Sequence, residues 1–222
     1  HIIEYNQYNE GFFKNIFYKK EKEKVINTNF IHPGFLQTRE EIKSWLSKMG
    51  VFDYHFTWDK GDFNNEKRSL KINVDTFVDL SKKKLEYLPV KFGYVKTFFD
   101  ISYNKLLSLE GSPIEVGEFF DCSNNKLTTL QGSPEFVDCI SPHRFGFKCD
   151  DNKLITLEGC TQNINGGFSF NKNKILSLKG FPQNINCDIL SYGNNPIYSF
   201  FRLMGSTDLE KLLIFFKYLN EY

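Results

Sequence analysis

From residue 73 onward, apolar and polar positions alternate in short bursts that recur at a fixed interval. The bursts Val78-Asp79-Leu80-Ser81, Phe99-Asp100-Ile101-Ser102, Phe120-Asp121-Cys122-Ser123, Phe147-Lys148-Cys149-Asp150 and Phe168-Ser169-Phe170-Asn171 begin 21, 21, 27 and 21 residues apart. A weaker copy, one residue late, runs through Leu190-Ser191-Tyr192. Five residues into the full copies stand Lys83, Asn104, Asn125, Asn152 and Asn173, with Asn195 in the last. Paired apolar residues follow this column, as in Leu106/Leu109, Leu127/Leu130 and Leu154/Leu157, and then a glycine at Gly111, Gly132, Gly159 and Gly180. Strict alternation predicts one short strand per copy, with Phe99 and Ile101 or Phe120 and Cys122 turned inward. A return segment follows each strand, and the strands stack as a parallel sheet. No single copy can bury its own apolar side, so the stack is the folding unit. The asparagines suit a turn in which a side-chain amide satisfies backbone groups left unpaired after the strand.

The segment Phe120 to Leu130, Phe-x-Cys-x-x-Asn-x-Leu-x-x-Leu, resembles the leucine-rich-repeat pattern L-x-L-x-x-N-x-L-x-x-L. With its Leu-Glu-Gly turn and following proline (Pro113, Pro134, Pro182), the unit is similar to short-repeat proteins common in phage and prophage genomes. The resemblance covers residues 73–200 and implies an α+β leucine-rich-repeat solenoid with a parallel β-sheet of about six 21-residue repeats.

The flanks read as caps for the open ends of that stack. Thr38-Arg39-Glu40-Glu41 has capping-box spacing, and Ile42, Trp45, Leu46 and Met49 share one helical face, predicting a helix over 39–49. Val51 to Trp58 and Ser69 to Val74 read as a hairpin. Thr207-Asp208-Leu209-Glu210 again has capping-box spacing, with Leu212, Leu213, Phe216 and Leu219 on one face. The expected organisation is an N-terminal capping region over 1–72, the solenoid over 73–200 and a C-terminal capping helix over 201–222.

Composition narrows the function classes. At 222 residues, core size is not limiting, since a chain of this length buries roughly 70% of its unfolded surface. Lysine and arginine number 28 against 27 acidic residues, for a net charge of +1; no broad field would draw in nucleic acid, and direct nucleic-acid binding is not expected. The longest uninterrupted apolar stretch, Leu212 to Phe216, is far shorter than the roughly 18 residues of a membrane span. The expectation is a protein of a bacterial host's cytoplasm, without a membrane partner. Five cysteines without a C-x-x-C pair fit a reducing compartment. The chain has no alanine but 24 phenylalanines, which suggests an A+T-rich genome.

Catalytic chemistry is not indicated. His1, His32, His55 and His143 lie far apart without metal-binding spacing, and Cys122 and Cys149 occupy the column filled elsewhere by Leu80, Ile101 and Phe170. Both therefore read as small core hydrophobes. No phosphate-cradling motif occurs. No catalytic residue, metal site or cofactor is expected.

Subtraction leaves the sheet's outer face. One outward column reads Phe77, Phe98, Phe119, Gly146, Gly167 and Ile189; a second reads Asp79, Asp100, Asp121, Lys148, Ser169 and Ser191; a third reads Ser81, Ser102, Ser123, Asp150 and Asn171. Three phenylalanines in a row on an exposed face suggest a partner site. The aspartate ladder beside them is either part of the repeat's own grammar or contact surface, with Lys84, Lys105 and Lys126 placed to neutralise it from the adjoining turn. The six extra residues of the 27-residue copy fall around Asp138 to Arg144 and supply a second candidate surface. Candidate partner-binding residues are thus Phe77, Phe98, Phe119, Asp79, Asp100, Asp121, Lys148, Asp150, His143 and Arg144. The leading expectation is a non-enzymatic interaction module for a protein partner with a basic surface. The phage resemblance implies inhibition of a bacterial defence effector, anti-CRISPR-like, by direct binding. The alternatives are an effector or adhesin acting on a host protein, and an enzyme with an unrecognised site in the N-terminal region.

Overall fold

The computed structural model of the chain describes residues 31–58, 70–139, 144–186 and 189–198. The proposed C-terminal helix, His143 and most of residues 1–37 lie outside them.

Helix α1 spans Arg39–Met49, where the capping-box spacing places it. The Thr38 hydroxyl accepts from the Glu41 N–H at 3.2 Å, and the Glu41 carboxylate accepts from the Thr38 N–H at 3.0 Å. These bonds satisfy two of the donors that a helix start leaves unpaired, and they hold the Glu41 carboxyl below its ordinary range. Gly50 ends the helix in the left-handed region at φ 80°. Ile42 and Leu46 are buried in the same core as the strands that follow. Strand β1 (Tyr54–Trp58) pairs antiparallel with β2 (Leu70–Val74), the expected hairpin.

Each turn of the chain then contributes to two sheets rather than one. The first contains β3 (Val78–Asp79), β5 (Phe99–Asp100), β7 (Phe120–Asp121), β9 (Phe145–Lys148), β11 (Gly167–Ser169) and β13 (Leu190–Ser191), all parallel. The return segment, to which the sequence pattern assigns no strand, carries one of its own. Strands β4 (Lys91–Val95), β6 (Glu115–Val116), β8 (Phe136–Asp138), β10 (Asn163–Asn165) and β12 (Asn184–Asn186) form a second parallel sheet, which β2 and β1 extend at one end. The molecule is a parallel β-solenoid of about five turns with a spacing of about 21 residues.

The core lies between the two sheets. Val95, Val116, Val137 and Ile164 of the return strands face the phenylalanine column of the first sheet, all buried. Phe99 stacks on Phe120 with centroids 5.8 Å apart, and Phe120 on Phe147 at 5.2 Å. The latter pair shows that the 27-residue turn stays in register, and β7 pairs Phe120 directly with Phe147.

The asparagine column forms a buried ladder along one edge of the core. Asn125 donates from Nδ2 to the carbonyls of Ile101 at 3.0 Å and Cys122 at 3.1 Å, one in each of two successive turns. Its Oδ1 accepts from the Leu106 N–H at 2.9 Å. Asn104, Asn152, Asn173 and Asn195 repeat the pattern. The residue before the column is left-handed in every copy, from Lys82 (φ 57°) through Tyr103, Asn124, Asp151 and Lys172 to Asn194 (φ 57°). For a residue with a Cβ that conformation costs roughly 1–2 kcal/mol, and the buried amide bonds offset it turn after turn. Gly132 (φ 92°) ends the Leu-Gln-Gly segment where an added Cβ would lie 2.9 Å from the Leu109 carbonyl carbon of the preceding turn.

Candidate functional site

On the outer side of the first sheet, Phe77, Phe98 and Phe119 stand one above another. Their ring centroids are 4.9 Å apart at both steps, with interplanar angles of 12° and 7°. The parallel register that stacks Phe99 on Phe120 inside the core requires this, because the residue before each inward phenylalanine points the other way. Phe77 is 50% exposed; Phe98 and Phe119, each covered on one or both sides by a neighbouring ring, are half-buried. The sheet therefore presents a continuous aromatic strip.

The strip ends where the fourth strand begins. Gly146 and Gly167, expected to continue the column on the open face, are both buried. A Cβ on Gly146 would fall 2.5 Å from the Asn165 carbonyl oxygen and 3.4 Å from the Cys139 Cβ. The pairing slips there, so that Gly167 is opposite Phe145 rather than Gly146. Glycine serves in those turns because the backbone comes close, not because the position faces open solvent.

The aspartate column has a structural task in each turn. Asp79, Asp100 and Asp121 accept from the N–H two residues ahead, those of Ser81 at 2.9 Å, Ser102 at 2.8 Å and Ser123 at 2.9 Å. These are Asx-type bonds that close the strand end. Asp79 stays exposed, Asp100 is half-buried, and the Asp121 side chain is 13% exposed. Burial, reinforced by the neighbouring Asp100 charge, pushes the Asp121 carboxyl above its ordinary value against the pull of its bonds to Ser123. The neutralising cation is not in the lysine column after the asparagines: among the described residues no ion pair joins Lys84, Lys105 or Lys126 to the ladder. Lys148, in the same column one turn on, brings its Nζ to 3.8 Å of Asp121 while lying 5.1 Å over the Phe145 ring.

The third column is largely taken up by the scaffold, with Ser81, Asp150 and Asn171 half-buried. Ser102 and Ser123 are buried. Asp150 is engaged internally, accepting from the Ser169 hydroxyl and the Asn171 N–H, both at 2.6 Å, and from the Asn171 amide at 3.1 Å. Arg144 is exposed, and its carbonyl accepts from the Gly167 N–H at 2.6 Å, which ties the end of the insertion to the next turn. The structure thus brings Phe77, Phe98, Phe119, Asp79, Asp100, Asp121 and Lys148 onto one face and takes Asp150 into the scaffold.

The described cysteines, Cys122, Cys139, Cys149 and Cys160, are buried thiols. Desolvation drives the thiols of Cys122, Cys149 and Cys160 upward, away from thiolate chemistry. Among the described residues no group of three or more histidine, cysteine or acidic side chains converges as a metal site, and no helix is long and apolar enough to cross a membrane. One pairing has no signature in the sequence: His55 Nδ1 lies 3.2 Å from Asp75 across the start of the hairpin, on an exposed edge. The antiparallel pairing of β1 and β2 creates it, not a spacing motif. No family model, curated protein or solved structure matches the chain.

Proposed function

We propose that the chain is a non-enzymatic interaction module of the leucine-rich-repeat class that holds a protein partner on the strip Phe77, Phe98 and Phe119. The asparagine ladder, the 21-residue step and the inward leucine columns support the class. The stack of three aromatic rings on an outer face carries the surface assignment, since these side chains contribute little to the core and offer a partner contiguous area to desolvate. Asp79, the exposed end of the acid row, adds negative charge beside the strip and favours a partner with a basic patch. Asp100 and Asp121 act chiefly as turn closures. The similarity of the repeats to short-repeat phage proteins supports a bacterial cytoplasmic setting and a defence effector as the partner, blocked by direct binding.

Affinity capture from a low-GC bacterial lysate, with the retained protein then purified, supplies the partner. The triple variant Phe77→Ala, Phe98→Ala, Phe119→Ala should lose its binding by at least about 100-fold, given that aromatic anchors each carry about 2 kcal/mol or more. A folded triple variant that binds as tightly as the parent overturns the assignment.

A further inference from the structure

The return sheet has an outer face of different chemistry. Register places Glu115, Phe136, Asn163 and Asn184 in one outward column and Asp138, Asn165 and Asn186 in the other, with Val116, Val137 and Ile164 between them turned into the core. The two columns line an open groove of about 580 Å³.

The amides in the groove are held by one another. Asn184 donates to the Asn163 side-chain oxygen at 2.8 Å, and Asn163 in turn to the Glu135 carbonyl at 3.4 Å. In the second column Asn186 donates to Asn165 at 3.0 Å, and Asn165 to the Asp138 carboxylate at 3.0 Å. Each amide has two N–H donors, and the ladder uses one from each of these four. The second donor of each, together with the Oδ1 atoms of Asn184 and Asn186, has no partner among the described residues. The side chains are therefore fixed in orientation before any ligand arrives, which lowers the entropic cost of binding. In the first column, between Glu115 and Asn163, Phe136 is 47% exposed beside them.

We infer that this groove binds a neutral oligosaccharide laid across the return strands, Phe136 stacking on the apolar face of one pyranose while the asparagine ladders take up vicinal hydroxyls of the next ones. Three observations select that occupant. Rungs recur every 4.7–4.9 Å or so in a parallel sheet, about the length of a pyranose ring, whereas an extended peptide presents same-side groups only about every 6.7 Å. The amide rungs offer donor and acceptor side by side, which matches a hydroxyl. The charged side chains lining the groove among the described residues are Glu115 and Asp138, with no lysine or arginine, so uronic acids, sulfated sugars and nucleic acids are disfavoured. The aromatic strip of the first sheet takes no part, and the two assignments fail independently.

The test is calorimetric titration of the intact protein with cellohexaose, maltohexaose, mannohexaose and the fully N-acetylated chitohexaose, alongside hexagalacturonate as the acidic counterpart. At least one neutral hexaose should bind with a Kd tighter than about 1 mM and shift the side-chain amide resonances of Asn163, Asn165, Asn184 and Asn186 in the unmodified protein. Phe136→Ala and Asn184→Ala, both at exposed positions, should each weaken that binding roughly tenfold while leaving the melting temperature in place. Failure of all four neutral sugars, equal or tighter binding of hexagalacturonate, unmoved amide resonances, or full affinity in both variants would each overturn the inference.

Discussion

Lys148 places its ammonium 3.8 Å from the Asp121 carboxylate, at the step of the ladder where the previous turn sets Asp100 beside Asp121. The column thus runs from like-charge neighbours to an opposed pair. Because the Asp121 carboxyl is raised by burial first and by Asp100 among the other causes, the folded chain holds that proton more tightly than the unfolded chain. Asp121 is therefore most favourable to the fold below the ordinary value of 3.8, and that contribution is lost as pH rises through the raised folded value. Asp121→Asn keeps an acceptor for the Ser123 N–H and should raise the urea midpoint at pH 7, the gain closing as pH is lowered to about 3. A midpoint that falls at pH 7 would contradict the sign.

Lys148→Ala should lower the unfolding free energy at pH 7, measured by urea titration, by under about 1 kcal/mol, the range of a partly exposed pair. In the Asp121→Asn background the same change should cost measurably less. A double-mutant cycle that closes to zero would separate the two residues energetically.

Neighbouring phenylalanines should respond to very different degrees. Phe120→Ala empties a fully buried site and should cost about 3–5 kcal/mol of stability. Phe119→Ala removes one ring of the outer strip and should cost about 1 kcal/mol. Denaturant unfolding of both variants reads the contrast directly.

Asn152→Leu removes the donor to the Cys122, Cys149 and Asp150 carbonyls and the acceptor for the Leu127 N–H. Stranding those backbone groups beside the core should cost about 3 kcal/mol or more. Hydrogen exchange should show the loss in the turns on both sides of position 152, since the amide bridges two of them.

Thiol labelling should spare the core column. Cys122 and Cys149 are fully buried, with thiols raised far from ionisation, so at pH 8 they should react only as fast as the chain unfolds. Peptide-resolved mass spectrometry after alkylation, with and without denaturant, tests this. Prompt native-state modification at either site would remove that residue from the core.

What the sequence discloses follows from what repeats in it. Phe99, Phe120, Phe147 and Phe168 recur at intervals that keep register, so the first sheet, its inward column and its outer strip follow from spacing alone. The second sheet is harder to read for a physical reason. Its inward positions, Val116, Val137 and Ile164, sit alone between residues as different as Glu115, Phe136 and Asn163, so no polar-apolar burst of one kind recurs to mark the strand. Alternation by itself also misjudges burial along the outer face. Ser102 and Ser123 lie in an outward column but are enclosed by the turn that Asp100 and Asp121 close, and Gly146 is closed in by the Asn165 backbone. Pairings such as Asp121 with Lys148 are visible only once the 27-residue turn is known to keep register.

That longer turn separates two properties of the molecule that a solenoid usually binds together. Six extra residues between Val137 and Phe147 leave Phe120 opposite Phe147 and the asparagine bonds of the flanking turns unaltered in kind. Length and register are thus uncoupled here: the slip that sets Gly167 opposite Phe145 absorbs the difference locally, and the inward column on either side keeps its count.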